Sequence, residues 1–283
     1  MTDLKQCSHY SAIARVDKDC RIDMQTTFLA IGDVHGYWQS VRAAISQAEG
    51  VLGRLPDFVL QVGDAEAHRN EEDLAGCHTS EKHRRVGEFR YLRPGDISTP
   101  MYFVGGNHDP YVSLDQLSGP FPAPWGIDSL GVYYLGRSGA ARLHDSVTVA
   151  WLSGIYSANA DPRERNRTVK SRGYFSVDEV THAISAASVL GKIDVLVTHN
   201  WPSGLHPSLG DQPIRELVEV IRPQLHLCGH GHDAFVGNIG ITTIHALAVV
   251  PPASIWWNHE RVGWWRLYEK TDSGVIRCIG VGK

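Results

Sequence analysis

The residues of this chain best suited to chemistry are two Asp, one Asn and four His, carried by five short motifs. These are Gly32-Asp33-Val34-His35-Gly36, Gly63-Asp64, Gly106-Asn107-His108-Asp109, Thr198-His199 and Gly229-His230-Gly231-His232. Carboxylate, amide oxygen and imidazole in this mixture make the donor set of a centre for two divalent metal ions. They suit Mn, Fe or Zn better than Mg or Ca. Two such ions about 3.5–4 Å apart clamp a phosphoryl group and lower the pKa of a shared water toward about 7, which is the chemistry of phosphoester hydrolysis.

Spacing divides the roles. Asp33 and His35 are two apart, so on an extended strand both side chains face one way and chelate one ion together. Gly32 and Gly36 allow a tight turn beside them. Asp64 has two oxygens and is placed to bridge the ions. Asn107, His199 and His230 complete the second set, and His232 returns to the first ion. His108 directly follows the Asn ligand, where it would donate a proton to the leaving alkoxide or steady the phosphate, with Asp109 orienting it. His68 and Arg69, just after Asp64, and Trp201, just after His199, are candidate substrate contacts. Trp201, Tyr156 and Tyr174 are candidate platforms for a stacked base. The remaining histidines, including His78, His144, His182, His206, His226 and His245, read as surface or structural residues.

Each motif follows an apolar run that reads as a strand. Thr27–Ile31, Phe58–Val62, Met101–Val104, Ile193–Val197 and Leu225–Cys228 are nearly continuous apolar stretches, the pattern of strands covered on both faces. Trp38, Val41, Ile45 and Ala48 recur at spacings of three and four and mark an amphipathic helix. Ser176 with Glu179 three residues on is a capping-box signature for a second helix, with Val177, Val180, Ile184 and Ala187 on its apolar face. Ile214, Leu217, Val218 and Ile221 mark a third, stopped by Pro223. Ala141–Leu143 and Val147–Leu152 read as a hairpin, and the tail from Ile241 as short antiparallel strands. The stretch 65–99 is long for a connection. This order predicts an α/β fold of two packed mixed sheets flanked by helices, with the motifs at the C-terminal ends of strands. Residues 1–24 read as an N-terminal extension and 25–283 as a single domain.

Bulk properties narrow the function classes. The chain has 283 residues, 42% of them hydrophobic, and a net charge of −4, so there is no global attraction to nucleic acid or membrane. Local attraction is another matter: residues 81–93 and 161–172 each carry five Lys or Arg against two acidic residues, and basic loops beside a phosphodiesterase site track a nucleic-acid backbone. The polar N-terminus has no signal-peptide pattern, and no apolar run is long enough to span a membrane. Five widely spaced cysteines without a C-x-x-C point to reduced thiols and a cytoplasmic setting. Cys228 reads as a buried strand thiol rather than a ligand. No obligate protein partner is evident.

The five motifs together resemble the calcineurin-like metallophosphoesterase superfamily over about residues 27–235. The resemblance implies a helix-flanked β-sandwich and a two-metal hydrolase, with the roles given above for Asp33, His35, Asp64, Asn107, His108, His199, His230 and His232. A narrower resemblance is carried by Gly63–Leu74, Val104–Asp109, Val132–Gly136, Leu152–Tyr156 and Val197–Gly204, which look like the RNA lariat debranching enzymes. That family cleaves a 2′–5′ phosphodiester at a branch point. It commonly carries Cys where this chain has Asp33, and Asp restores a full ligand set for the first ion. The reading is a phosphodiesterase acting on a nucleotide or RNA. The alternatives are a phosphomonoesterase and a non-catalytic scaffold of the same fold; a scaffold usually loses ligands, and none is missing here.

Overall fold

Thr26–Ile31 forms strand β1, buried along its whole length. Phe28 and Ala30 pack into one core cluster while Leu29 and Ile31 pack into another, the two-residue alternation of a strand with apolar layers on both sides. The computed structural model describes residues 25–78, 87–117, 123–144, 146–160, 167–252 and 262–282. The expected extension 1–24 lies outside them, as do Lys82, Arg84, Arg85, Arg163, Arg165, Trp256 and Trp257.

The elements follow as α1 (Trp38–Leu52), β2 (Phe58–Gln61), α2 (Glu71–Ala75), β3 (Met101–Phe103), α3 (Tyr111–Leu114), β4 (Trp125–Ile127), β5 (Val132–Tyr134), β6 (Ser138–Leu143) and β7 (Val147–Leu152). After these come α4 (Val169–Arg172), α5 (Val177–Leu190), β8 (Val195–Thr198), α6 (Gln212–Ile221), β9 (Leu225–Cys228), β10 (Phe235–Ile239), β11 (Thr242–Ala246), β12 (Trp265–Lys270) and β13 (Ile276–Val281). Among the described residues they build two mixed sheets, of order β13-β12-β1-β2-β3-β5-β4 and β10-β11-β9-β8-β7-β6. Three apolar layers hold the sandwich. Phe58, Leu60, Val197 and Leu227 fill the space between the sheets; Trp38, Val41 and Ile45 of α1 cover the first sheet; Ala183, Ile214, Leu217 and Val218 of α5 and α6 cover the second.

Local chemistry sets the helix ends. Ser176 and Glu179 form the expected capping box at α5, α1 stops at Gly53 in the left-handed region, and α6 stops at Arg222 in that same region just before Pro223. The apolar face of α5 differs from expectation. Val177 is exposed and Ala183 is buried instead, because the helix meets the sheet through small residues further along. The tail is not wholly antiparallel either: β11 runs parallel to β9 and antiparallel to β10, and β10, whose exposed edge residues blur its pattern, was not expected. The long stretch after β2 carries α2 and a 3-10 turn at Glu88–Tyr91. Cys77, Cys228 and Cys278 are free thiols, and Cys228 is buried on its strand. Among the described residues no helix is long and apolar enough to cross a membrane.

His226 on β9 is fully buried. Thr198 Oγ1 donates to the Asn200 carbonyl and lies 2.8 Å from His226 Nε2, so Nε2 carries the proton and Nδ1 stays bare. Burial pushes this imidazole down to about 3. The unfolded chain, with a pKa near 6.5, therefore takes up a proton that the folded chain refuses. Stability from this group is full above about 6.5 and falls with the pH below that, by about 1.4 kcal/mol per unit. Urea unfolding of wild type and His226→Gln at pH 6.5 and pH 5 should show about 2 kcal/mol less acid sensitivity in the variant. Equal sensitivity would refute the assignment.

Candidate metal centre

Five loops leave the C-terminal ends of β1, β2, β3, β8 and β9 along one edge of the sandwich, because β1, β2 and β3 run parallel in one sheet and β8 and β9 run parallel in the other. Asp33, Asp64 and His199 are buried there. The donor atoms fall into two groups, Asp33 with His35 and His232, and Asp64 with His199 and His230, each within 4.8 Å of one another. Asp64 Oδ2 lies 3.3 Å from His199 Nε2 and 4.0 Å from His35 Nε2. One carboxylate oxygen thus faces both groups, as a bridging ligand must. Asn107 Oδ1 is 3.1 Å from His199 Nε2 and joins the second group.

The surrounding hydrogen bonds aim these donors. His199 Nδ1 donates to the Val62 carbonyl at 2.9 Å, which leaves the Nε2 lone pair facing the oxygens of Asp64 and Asn107. His35 Nδ1 is held by Glu66 Oε1 at 2.9 Å, which turns its Nε2 inward, to 3.1 Å from His232 Nε2. Imidazoles fixed in this way by a carbonyl or a carboxylate are the usual supports of metal ligands. Asp33 Oδ2 accepts the His230 N–H at 2.8 Å, while Oδ1 is buried without a hydrogen-bond partner among the described residues. Lone pairs that converge on one another, and a buried carboxylate oxygen without a donor, are the mark of a site that a cation completes. The donor set therefore fits two divalent ions.

Electrostatics agree. Burial resists charge on His199, but the adjacent Asp64 and Asp33 carboxylates outweigh it and push the imidazole up to about 10. Burial opposes charge on His35 too, and there Glu66 with the two Asp push it up to about 9. Burial alone would raise Asp64; His199 beside it holds its carboxyl well below the usual carboxylate range. Asp33 is raised by burial. The pocket stabilises positive charge at its centre, which protons supply when cations do not.

The backbone arranges the pairs differently from the expected strand alternation. His35, Asp64, Glu66, His230 and His232 all have φ between 45 and 64°, a left-handed conformation that non-glycine residues adopt only when the surroundings enforce it. The turns send His230 and His232 to different donor groups, and bring His35 and Asp33 to the same one. Close packing adds a further demand. A Cβ on Gly229 would sit 2.0 Å from Asp33 Oδ1, and one on Gly106 would sit 2.2 Å from Asp64 Oδ1. Gly229→Ala should therefore displace Asp33 and weaken binding at the first group by about 10–100-fold. Titration of the apoprotein with Mn against a chelator reads this, and unchanged affinity would contradict the geometry.

Not every expected site residue is where its role requires. His108 borders the centre: its backbone N–H donates to Asp64 Oδ1 at 2.8 Å, and its Nδ1 is buried without a partner among the described residues. Asp109 does not orient it. The buried Asp109 carboxylate accepts from the backbone N–H groups of Gly106, Glu66 and Ala65 at 2.7, 2.7 and 3.3 Å, and so clamps the Asp64 loop to the Asn107 loop. His68 is fully buried with Nε2 3.0 Å from the Cys77 thiol, out of reach of a substrate. Arg69 is spent in a two-pronged pair with Asp73. Trp201 is buried, tilted against Phe235, and donates from Nε1 to the Gly229 carbonyl at 2.6 Å; it braces the His230 loop and is no open platform. Glu66 and Asn200 escaped the sequence reading. The only signal for Glu66 was a second carboxylate two residues after Asp64.

The calcineurin-like phosphoesterase family model matches residues 26–234. The lariat debranching enzyme of Drosophila melanogaster is 25% identical over 233 residues, covering 72% of this chain and 42% of the relative. The lariat debranching enzyme of Entamoeba histolytica is 24% identical over 246 residues, covering 78% of this chain and 68% of the relative. The chain thus spans less than half the length of the first relative. Among solved structures, a protein of Thermus thermophilus superposes with a TM-score of 0.57 at 12% identity, covering 92% of this chain and 99% of that one, which shows a shared fold.

Proposed function

This chain belongs to the calcineurin-like phosphoesterase family, and from that premise we propose that it is a two-metal phosphodiesterase acting on a nucleic-acid substrate, with a 2′–5′ linkage as the preferred target. The observation that carries the reading is the Asp64 carboxylate set between two ligand groups with His108 at their border. Asp33, His35 and His232 would hold one ion, and Asp64, Asn107, His199 and His230 the other. The ions, Mn, Fe or Zn by donor type, would supply Lewis acidity toward the phosphoryl oxygens and an activated water. Asp33 in place of the Cys common in lariat enzymes would give the first ion a hard carboxylate donor.

The protein's own groups supply the rest. Glu66 and the Val62 carbonyl fix the ring orientation of His35 and His199, so the donors are organised before substrate arrives. His108, whose Nδ1 has no hydrogen-bond partner among the described residues, would give a proton to the departing ribose oxygen. Arg167, Lys170 and Arg172 follow the 153–156 segment that packs on the Asn107 loop, on the side where a polyanionic strand would lie. The relatives' names point to branched RNA for those proteins, and we extend that linkage to this chain. Free thiols at Cys77 and Cys228 fit a reducing, cytoplasmic setting.

Hydrolysis of 2′–5′ and 3′–5′ linked dinucleotides, and of a simple aryl monoester, by protein loaded with Mn, Fe or Zn tests this reading. We expect diester turnover to exceed monoester turnover, and 2′–5′ to exceed 3′–5′. Faster monoester hydrolysis would instead favour a phosphatase. No hydrolysis and no bound transition metal would favour a scaffold.

A further inference from the structure

A cavity of about 330 Å³ lies on the segments that pack against the Asn107 loop. Its walls come from residues 156–160 and 167–176 and from the starts of α5 and α6. Because β7 and β8 run parallel, those starts lie along the strand-end edge that carries the ligand loops. Backbone contacts tie the cavity to the centre. Gly154 N–H donates to the Gly105 carbonyl at 2.7 Å, and Gly173 approaches so closely that a Cβ on it would sit 3.3 Å from Asn107 Cα. Tyr156 N–H donates at 3.1 Å to Asp211 Oδ2, which also accepts from Asn200, the neighbour of His199, at 2.8 Å.

The lining is aromatic with a polar rim. Tyr156 is 40% exposed and is braced by Phe175, whose ring centroid lies 5.9 Å away at 34°. Tyr174 lines the same space, and Asn159 and Arg167 place amide and guanidinium groups around it, while the Ser171 hydroxyl is engaged by Thr168. A slot of this make-up suits a flat heteroaromatic ring with hydrogen-bonding edges. Its aromatic faces favour a stacked ring over a bare phosphate, for which Arg167 is the one charged donor among the described lining residues. Deepening the phosphodiesterase reading on which it rests, we propose that this cavity holds a nucleobase of the substrate strand, stacked on Tyr156, on the Asn107 side of the metal centre.

The test compares a 2′–5′ dinucleotide with the same compound made abasic at one residue. With wild type, the intact dinucleotide should be hydrolysed with a kcat/KM about tenfold above that of one of the two abasic forms, the contribution of one stacked base. Tyr156→Ala should bring that ratio toward one, chiefly through KM, and Tyr156→Phe should restore it. A ratio that stays the same in Tyr156→Ala, or a wild type indifferent to both bases, overturns the proposal. Calorimetric titration with adenosine gives a readout independent of turnover, with binding about tenfold weaker in Tyr156→Ala expected. Equal binding in the two proteins also overturns it. Tyr156-dependent adenosine binding by a protein that hydrolyses no diester would keep the base pocket and sink the phosphodiesterase reading alone.

Discussion

Asp64→Ala loses phosphodiester hydrolysis by more than about 10³-fold, over about 4 kcal/mol of barrier, and no added metal restores it. One oxygen of this carboxylate lies between the two ligand groups and the other accepts the backbone N–H of His108. The substitution therefore removes a donor from both ligand groups and frees the loop that carries His108. Burial makes the loss worse, because His35 and His199 then face one another with less negative charge between them. Asp64→Asn keeps the hydrogen bond to His108 but not the charge, and should recover less than about a tenth of the activity. Metal analysis alongside kinetics checks the cause: less than one ion per chain is expected in Asp64→Ala. Activity within about tenfold of wild type would refute a bridging role.

His108→Ala behaves differently. Turnover falls by about 10²–10⁴-fold while two metals per chain remain bound, as expected when a general acid is lost. The contact between this residue and Asp64 runs through its backbone N–H, so alanine preserves the loop. Among the described residues the ring makes no hydrogen bond through Nδ1, so its removal breaks no link to them there. The defect should depend on the leaving group. A ribose alkoxide needs the proton and should show the full loss, whereas a nitrophenolate leaves unaided and should show little. An equal defect on both substrates would argue that His108 steadies the phosphate instead.

Much of this architecture was legible in the sequence because its strands are buried on both faces. Runs such as Thr27–Ile31 and Phe58–Val62 need no partner to be recognised, and the Ser176–Glu179 box announces its helix by local hydrogen bonding alone. The interior of the second half was less legible. Ala183 carries too little apolar surface to mark a face, yet small residues are what let a helix lie close on a sheet. β10 has Val236 exposed on an edge strand, so its alternation misleads.

The site divides in the same way. The types and order of Asp33, His35, Asp64, Asn107, His199, His230 and His232, each just beyond a strand, name a set of donors, because ligand chemistry resides in side-chain identity. Which donors fall in one group is set by left-handed turns at His35, Asp64, His230 and His232, which only tertiary packing can enforce. Packing also decided which neighbours never reach a substrate. His68, Asp109 and Trp201 lie within four residues of a ligand, as His108 does, but burial turns the first toward Cys77 and the other two toward backbone groups. Glu66 takes its place beside His35 only because two parallel strands bring separate loops together. Residue identity and order thus set the chemistry available to this protein, and the fold chose which groups use it, since direction and burial are properties of the folded chain.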